Sequence, residues 1–252
     1  MKNTLIICQA RYASTRLPGK VLLKILGKPL LWYLIKRLEK VKTQNQLIIA
    51  TSNSNSNQPI IDFLENYDVT YYAGSENDVL DRFYQTSKEF NGDIIVRITA
   101  DCPLMDPKII DRGLEIFLGG NYDYVSNVHP PTFPNGFDIE IFSFKTLETS
   151  WKNAKLKSER EHVTPYVYNN PEKFIMKNFT HRMDLSNYRL TVDTSEDFVV
   201  VSKIIEIFHD RWKEFDLEDV TNYLNKNPDL LKINAQYKRN EGYLKSLRED
   251  KI

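Results

Sequence analysis

Glycine is missing from the first eighteen residues, and the whole 252-residue chain has only nine. No G-x-G-x-x-G dinucleotide fingerprint therefore follows the first apolar run. A Walker A phosphate loop is excluded as well. Around Gly19-Lys20, Ser14 stands where its first glycine belongs and Val21 where its hydroxyl belongs. Cysteine is nearly absent: Cys8 and Cys102 make no disulfide framework and suit a reducing compartment. No apolar run approaches the roughly 18 residues that span a bilayer, and no cationic segment with a following apolar stretch opens the chain. No signal peptide and no membrane insertion are expected, and the expected location is cytoplasmic. Neither sign of charge is in excess, since Lys+Arg and Asp+Glu both number 34. A nucleic-acid partner is not expected, and any anion binding must be local. The histidines, His129, His162, His181 and His209, have no metal-ligand spacing.

What is present is alternation. "TLIICQA" reads as a buried first strand, and "GKPLLWYLIKRLEKV" as a helix with Pro29 at its first turn. "QLIIAT", "VTYYAG" and "DIIVRIT" read as strands; "QPIIDFLENY", "DVLDRFYQTSKEF" and "DPKIIDRGLEIFL" read as the helices between and after them. The rhythm predicts an α/β fold with a mostly parallel sheet and helices on both faces. Beyond "YDYVSN" it breaks. "PPTFPNGFDIEIF" reads as a Pro/Gly turn and an alternating strand, "SEREHVTPYVYNN" as one helix, and "YRLTVDTSEDFVVVSKIIEIF" as strand, turn and helix. One domain over residues 1–215 is expected, followed by a helical C-terminal tail over 216–252, charged helix and then solvated chain.

The stretch "CQARYASTRLPGKVL" carries Arg11, Arg16 and Lys20 immediately after the first strand. In open α/β sheets ligands bind beyond the carboxyl ends of the strands, so a cationic loop there points to an anion, most simply a polyphosphate. Small residues Ala10, Ala13 and Ser14 permit close approach of backbone N–H groups. The competing reading is an exposed, solvated basic loop.

"QARYASTRLPGKVLLKILGKPLL" closely resembles the N-terminal signature of the cytidylyltransferases that activate acidic sugars, the CMP-KDO synthetase family, and the related spore coat polysaccharide biosynthesis protein F-like group. "VRITADCPLMDP" and "LTVDTSEDF" match in the same order, so the resemblance runs from residue 4 to 198. It implies the nucleotide-diphospho-sugar transferase (Rossmann-like) architecture. It also implies a Mg²⁺-dependent enzyme joining CMP from CTP to a sugar or sugar-like, acidic acceptor, with release of pyrophosphate, for surface polysaccharide or glycoconjugate biosynthesis. A homodimer is implied too. The CMP-KDO synthetases carry Gly-Asp-x-Pro where this chain has Ala100-Asp101-Cys102-Pro103, and "GFDIEIF" and "EREHVTPY" are closer to the spore coat group. Nucleotide handling therefore carries over better than the acceptor.

By this resemblance Gln9, Ala10, Arg11, Ser14, Asn77, Asp78, Arg82 and Ala100 contact the nucleotide, and Arg16 and Lys20 hold its phosphates, with Asp101 in the catalytic set. Asp101 and Asp193 would hold Mg²⁺, which proteins bind through one or two carboxylates with phosphate oxygens and water. Each has a plainer reading as a turn or helix cap. Asp138 and Glu140 share a strand face that points toward the acceptor; Arg160, Glu161 and His162 are candidates to orient its acidic group or the pyrophosphate. Two rivals remain open. A nucleotide-sugar-dependent glycosyltransferase would show Asp-x-Asp, where "TADCPLMD" supplies one Asp at the right place. A non-catalytic nucleotide-binding module would bind CTP without turnover.

Overall fold

The computed structural model describes residues 2–43 and 45–250. Its first strand, β1 (Thr4–Gln9), is almost fully buried, as a continuous apolar run between two parallel neighbours must be. A 3-10 turn at Lys20–Leu22 and a small hairpin, β2 (Lys24–Ile25) with β3 (Lys28–Pro29), lead to α1 (Leu30–Leu38). Three strand–helix units follow: β4 (Gln46–Ser52) with α2 (Gln58–Asn66), β5 (Tyr71–Gly74) with α3 (Val79–Glu89), and β6 (Ile94–Thr99) with α4 (Pro107–Gly119). The second half contributes β7 (Tyr124–Ser126), β8 (Glu140–Ser143), α5 (Phe144–Asn153), α6 (Lys157–His162), α7 (Pro165–Tyr168) and β9 (Met176–Asn178). Four further helices close the chain: α8 (Ser195–Ile207), α9 (Leu217–Lys226), α10 (Pro228–Lys232) and α11 (Glu241–Glu249).

One seven-stranded sheet runs in the order β5-β4-β1-β6-β8-β7-β9. β5, β4, β1 and β6 are parallel, and β8 runs antiparallel to both β6 and β7. The expected α/β, mostly parallel architecture is present. Local signals agree with it: Asp78 caps α3, Asp106 caps α4 ahead of Pro107, and Thr194 with Asp197 forms a capping box on α8.

A buried cation ties the helices after residue 205 to the sheet. The Arg37 guanidinium on α1 donates to the carbonyls of Met105 (2.7 Å), Trp212 (2.7 Å) and Phe215 (3.0 Å), which satisfies a charge buried almost completely. Leu217, Val220 and Leu224 of α9 share the hydrophobic core with α1 and α8.

The second half departs from its sequence reading in four places. "SEREHVTPYVYNN" is two helices, because Val163 takes φ +74° and breaks the run between α6 and α7. The strand in "PPTFPNGFDIEIF" covers only Glu140–Ser143, and the residues before it form turns. The segment read as a strand in "YRLTVD" makes a single bridge, Arg189 to Asn135. Gly136 permits that approach: at φ +106°, a Cβ on it would lie 2.6 Å from the Leu190 backbone. The last segment is also less solvated than expected, since α11 packs against α6 and buries Ser246.

Candidate active site

A cleft of about 910 Å³ opens at the carboxyl ends of β1, β5 and β6, and the loop after β1 forms one wall. Gly19 makes that loop possible. Its φ is +67°, its N–H donates to Tyr12 O at 2.9 Å, and a Cβ would sit 3.0 Å from the Tyr12 ring. The closed turn delivers Lys20 into the cleft, where it is buried rather than solvated. Its Nζ donates to Asp101 Oδ2 and to Asp193 Oδ1, each at 2.8 Å.

Two hydrogen bonds to the Asp101 carbonyl bring these aspartates together. Val192 N–H donates to Asp101 O at 2.8 Å, and Thr191 Oγ1 to the same oxygen at 3.2 Å. Neither aspartate is a helix cap, because α8 is capped by Thr194 and α4 by Asp106. Asp193 also meets Arg16 (3.0 Å) and Arg189 (3.1 Å). Arg189 is in turn fixed by Asp197, which Asn234 also contacts. Burial alone would push the Asp101 carboxyl up; the Lys20 ammonium overrides this and holds it down to about 2. The Lys20 ammonium is held charged above its usual range, because the two carboxylates outweigh the penalty of burial. Both groups are charged at neutral pH.

Gln9, Ala10, Arg11, Ser14, Arg16, Asn77, Arg82 and Ala100, the expected nucleotide contacts apart from Asp78, all line the cleft. Arg82 is 1% exposed and donates to Ser75 O at 2.6 Å; burial and the nearby Arg11 push it down to about 10. The Gln9 side-chain oxygen is buried against the cleft with no protein partner among the described residues. The Ala10 N–H is not a free donor for a ligand, since the Ala50 carbonyl accepts it at 3.1 Å.

Two expected contacts are corrected. Asp78 and Arg160 bond to each other, the Arg160 Nε lying 2.9–3.0 Å from both carboxylate oxygens, and neither lines the cleft. Asp78 caps α3 with the same carboxylate. The neighbours of Arg160 in "EREH", Glu161 and His162, line the cleft. Ser246 of α11 donates to Glu161 at 2.8 Å and lies 3.1 Å from His162 Nε2. Burial, reinforced by Arg97, pushes the His162 ring down to about 4.

Asp138 and Glu140 line the other end of the cleft. Burial pushes the Asp138 carboxyl up to about 6 against its Arg239 partner. Glu140 pairs with Arg97 and accepts from Tyr124 OH (2.5 Å) and Thr164 Oγ1 (2.6 Å), and the Arg97 charge outweighs burial to lower its pKa. Arg97, Arg189, Arg239 and Glu241 complete the site and were not singled out from the sequence. Two of them had a signal: Arg97 lies inside "VRITADCPLMDP" and Arg189 inside "YRLTVDTSEDF".

The family model described as cytidylyltransferase matches residues 5–243. The chain belongs to the cytidylyltransferase family. This cytidylyltransferase is similar to an uncharacterized protein of Methanocaldococcus jannaschii, 39% identical over 245 residues that cover 96% of this chain and 97% of that protein. It is similar to the spore coat polysaccharide biosynthesis protein SpsF of Bacillus subtilis, 30% identical over 238 residues (91% of this chain, 97% of the relative). A solved cytidylyltransferase from Leptospira borgpetersenii superposes with a TM-score of 0.88 at 35% identity, covering 95% of this chain and 99% of that one. The 3-deoxy-manno-octulosonate cytidylyltransferase of Geobacter metallireducens is 34% identical over only 114 residues, 45% of this chain and 44% of its own length. No helix among the described residues is long and apolar enough to cross a membrane.

Proposed function

We propose that this cytidylyltransferase transfers CMP from CTP to an acidic, sugar-like acceptor and releases pyrophosphate, in surface polysaccharide or glycoconjugate biosynthesis. The observation that carries this reading is the convergence of Asp101 and Asp193 on Lys20, each at 2.8 Å, at the strand ends where an α/β sheet binds its ligand. Two carboxylates aimed at one point are a hard oxygen donor set and fit Mg²⁺. When bound, the ion supplies charge neutralisation for the triphosphate.

The chain's own groups do the rest. Arg16 and Lys20 hold the phosphates, and Gln9, Arg11 and Arg82 border the nucleoside. An acceptor hydroxyl oxygen bonds to the α-phosphorus, the bond from that phosphorus to the bridging oxygen breaks, and pyrophosphate leaves with the electron pair. Asp138, ionised above about pH 6, takes the hydroxyl proton. No protein nucleophile is required, and the contribution is positioning and electrostatic.

Thermal denaturation tests the nucleotide half of the reading. CTP with Mg²⁺ should stabilise the protein more than UTP, ATP or GTP do, because a ligand that binds only the folded state raises stability. Equal shifts for all four would remove the cytidine assignment.

A further inference from the structure

Arg97 stands on β6 directly across the antiparallel register from Glu140 on β8. Its Nη1 is held by Glu140, a carboxylate 5% exposed that also takes hydrogen bonds from Tyr124 and Thr164. Glu140 is thus fully engaged in aiming the guanidinium. The guanidinium itself is not fully engaged. Its Nε is buried with no partner, and its Nη2 donates to no protein group among the described residues. The side chain is 15% exposed and lines the cleft. A buried cationic donor without an acceptor is costly unless something supplies one.

The surroundings favour an anion as that supplier. The other carboxylates at this end already have partners: Asp138 has Arg239, Asp101 has Lys20, and Glu161 has Ser246. His162 is kept neutral beside Arg97 and adds no second charge there, and the nearby Arg239 is already paired with Asp138. Arg160 is locked onto Asp78 and the Trp151 carbonyl.

We infer that Arg97 seats the acidic group of the acceptor, a carboxylate or a phosphate-type oxyanion, on the unused side of its guanidinium. Calling the guest an acceptor rests on the proposed function; the anion seat itself rests on Arg97. Arginine's planar fork suits such a group better than lysine's point charge.

The test is thermal titration of CTP-saturated protein with 3-deoxy-manno-octulosonate as carboxylate probe, sn-glycerol 3-phosphate as phosphate probe and glycerol as neutral control. In the wild type one of the anions stabilises and glycerol does not, and the anion that does so identifies the source. Arg97→Lys keeps a charge beside Glu140 but loses the fork. It should raise the half-saturating anion concentration about tenfold or more, with that of CTP changed less than about twofold. Arg97→Gln combined with Glu140→Gln leaves no lone buried charge and should abolish the anion response in a folded protein. Wild-type half-saturation in Arg97→Lys, equal stabilisation by glycerol, or no stabilisation of wild type by either anion would overturn the inference. Failure of CTP itself to stabilise the wild type would count against the proposed function, and the same anion titrations without CTP would then decide Arg97 alone.

Discussion

Lys20 Nζ and Asp193 Oδ1 stand 2.8 Å apart although 173 positions separate them in the chain, and the same ammonium is 2.8 Å from Asp101 Oδ2. One buried cation therefore bridges two carboxylates. That makes Lys20 part of the fold as well as of the chemistry, which a solvated loop residue would not be.

Lys20→Met should accordingly lower stability by about 1–3 kcal/mol, the cost of leaving the Asp101 carboxylate without its cation while Asp193 keeps Arg16 and Arg189. Mg²⁺ should then raise its Tm more than it raises that of the wild type, because the ion replaces the lost positive charge. Turnover should fall on the order of 10²-fold or more. Arg16→Ala should lose comparable activity with little change in Tm, since Arg16 is 37% exposed and its ion pairs sit at the rim. An unchanged Tm and no added Mg²⁺ response in Lys20→Met would contradict this.

Asp101→Asn and Asp193→Asn keep side-chain shape while deleting one charge each. Both variants should fold, lose most activity, and require more Mg²⁺ to regain any of it. The double variant should be little worse than the worse single, because groups acting as one unit are not additive. Normal rates and an unchanged Mg²⁺ requirement would move the metal elsewhere.

Asp138 sets a pH dependence. Its carboxyl is raised to about 6, so the ionised form that accepts a proton grows in as pH rises through 6, and activity should climb over that range. Asp138→Asn should remove this limb and slow turnover about 10²-fold or more. Stability has the opposite sign. A carboxyl whose folded pKa lies above its unfolded value near 3.8 favours the fold fully below that value and loses the contribution as pH rises through about 6. The wild type should therefore lose more Tm between pH 5 and 7 than Asp138→Asn does.

Glu140→Gln should cost about 3 kcal/mol in a denaturant titration, because it breaks a buried pair and leaves the Arg97 charge uncompensated. A change within about 0.5 kcal/mol, the scale of a surface substitution, would mean that Glu140 is not the group that aims Arg97.

The parts of the site that the sequence displays are those fixed by local structure. Arg11, Arg16 and Lys20 follow a strand whose apolar run is unmistakable, and Asp101 and Asp193 sit at strand or turn ends next to capped helices. What the sequence conceals depends on long-range register. Arg97 meets Glu140 only because β8 pairs antiparallel with β6, and Arg160 is diverted to Asp78 across 82 positions. Arg239 and Glu241 arrive from a segment whose charges give no apolar periodicity to read. The break at Val163 was hidden for another reason: a β-branched residue at φ +74° runs against every local preference and is imposed by the packing around it.

Acceptor-dependent pyrophosphate release is the most direct measurement of the central claim. Purified protein, Mg²⁺ and CTP should release pyrophosphate only when an acidic, sugar-like acceptor is added, with one CMP-linked product formed per pyrophosphate and far less release from UTP, ATP or GTP. Nucleotide binding with no pyrophosphate from any acidic acceptor, or turnover that consumes a nucleotide-sugar instead of free CTP, would contradict the account.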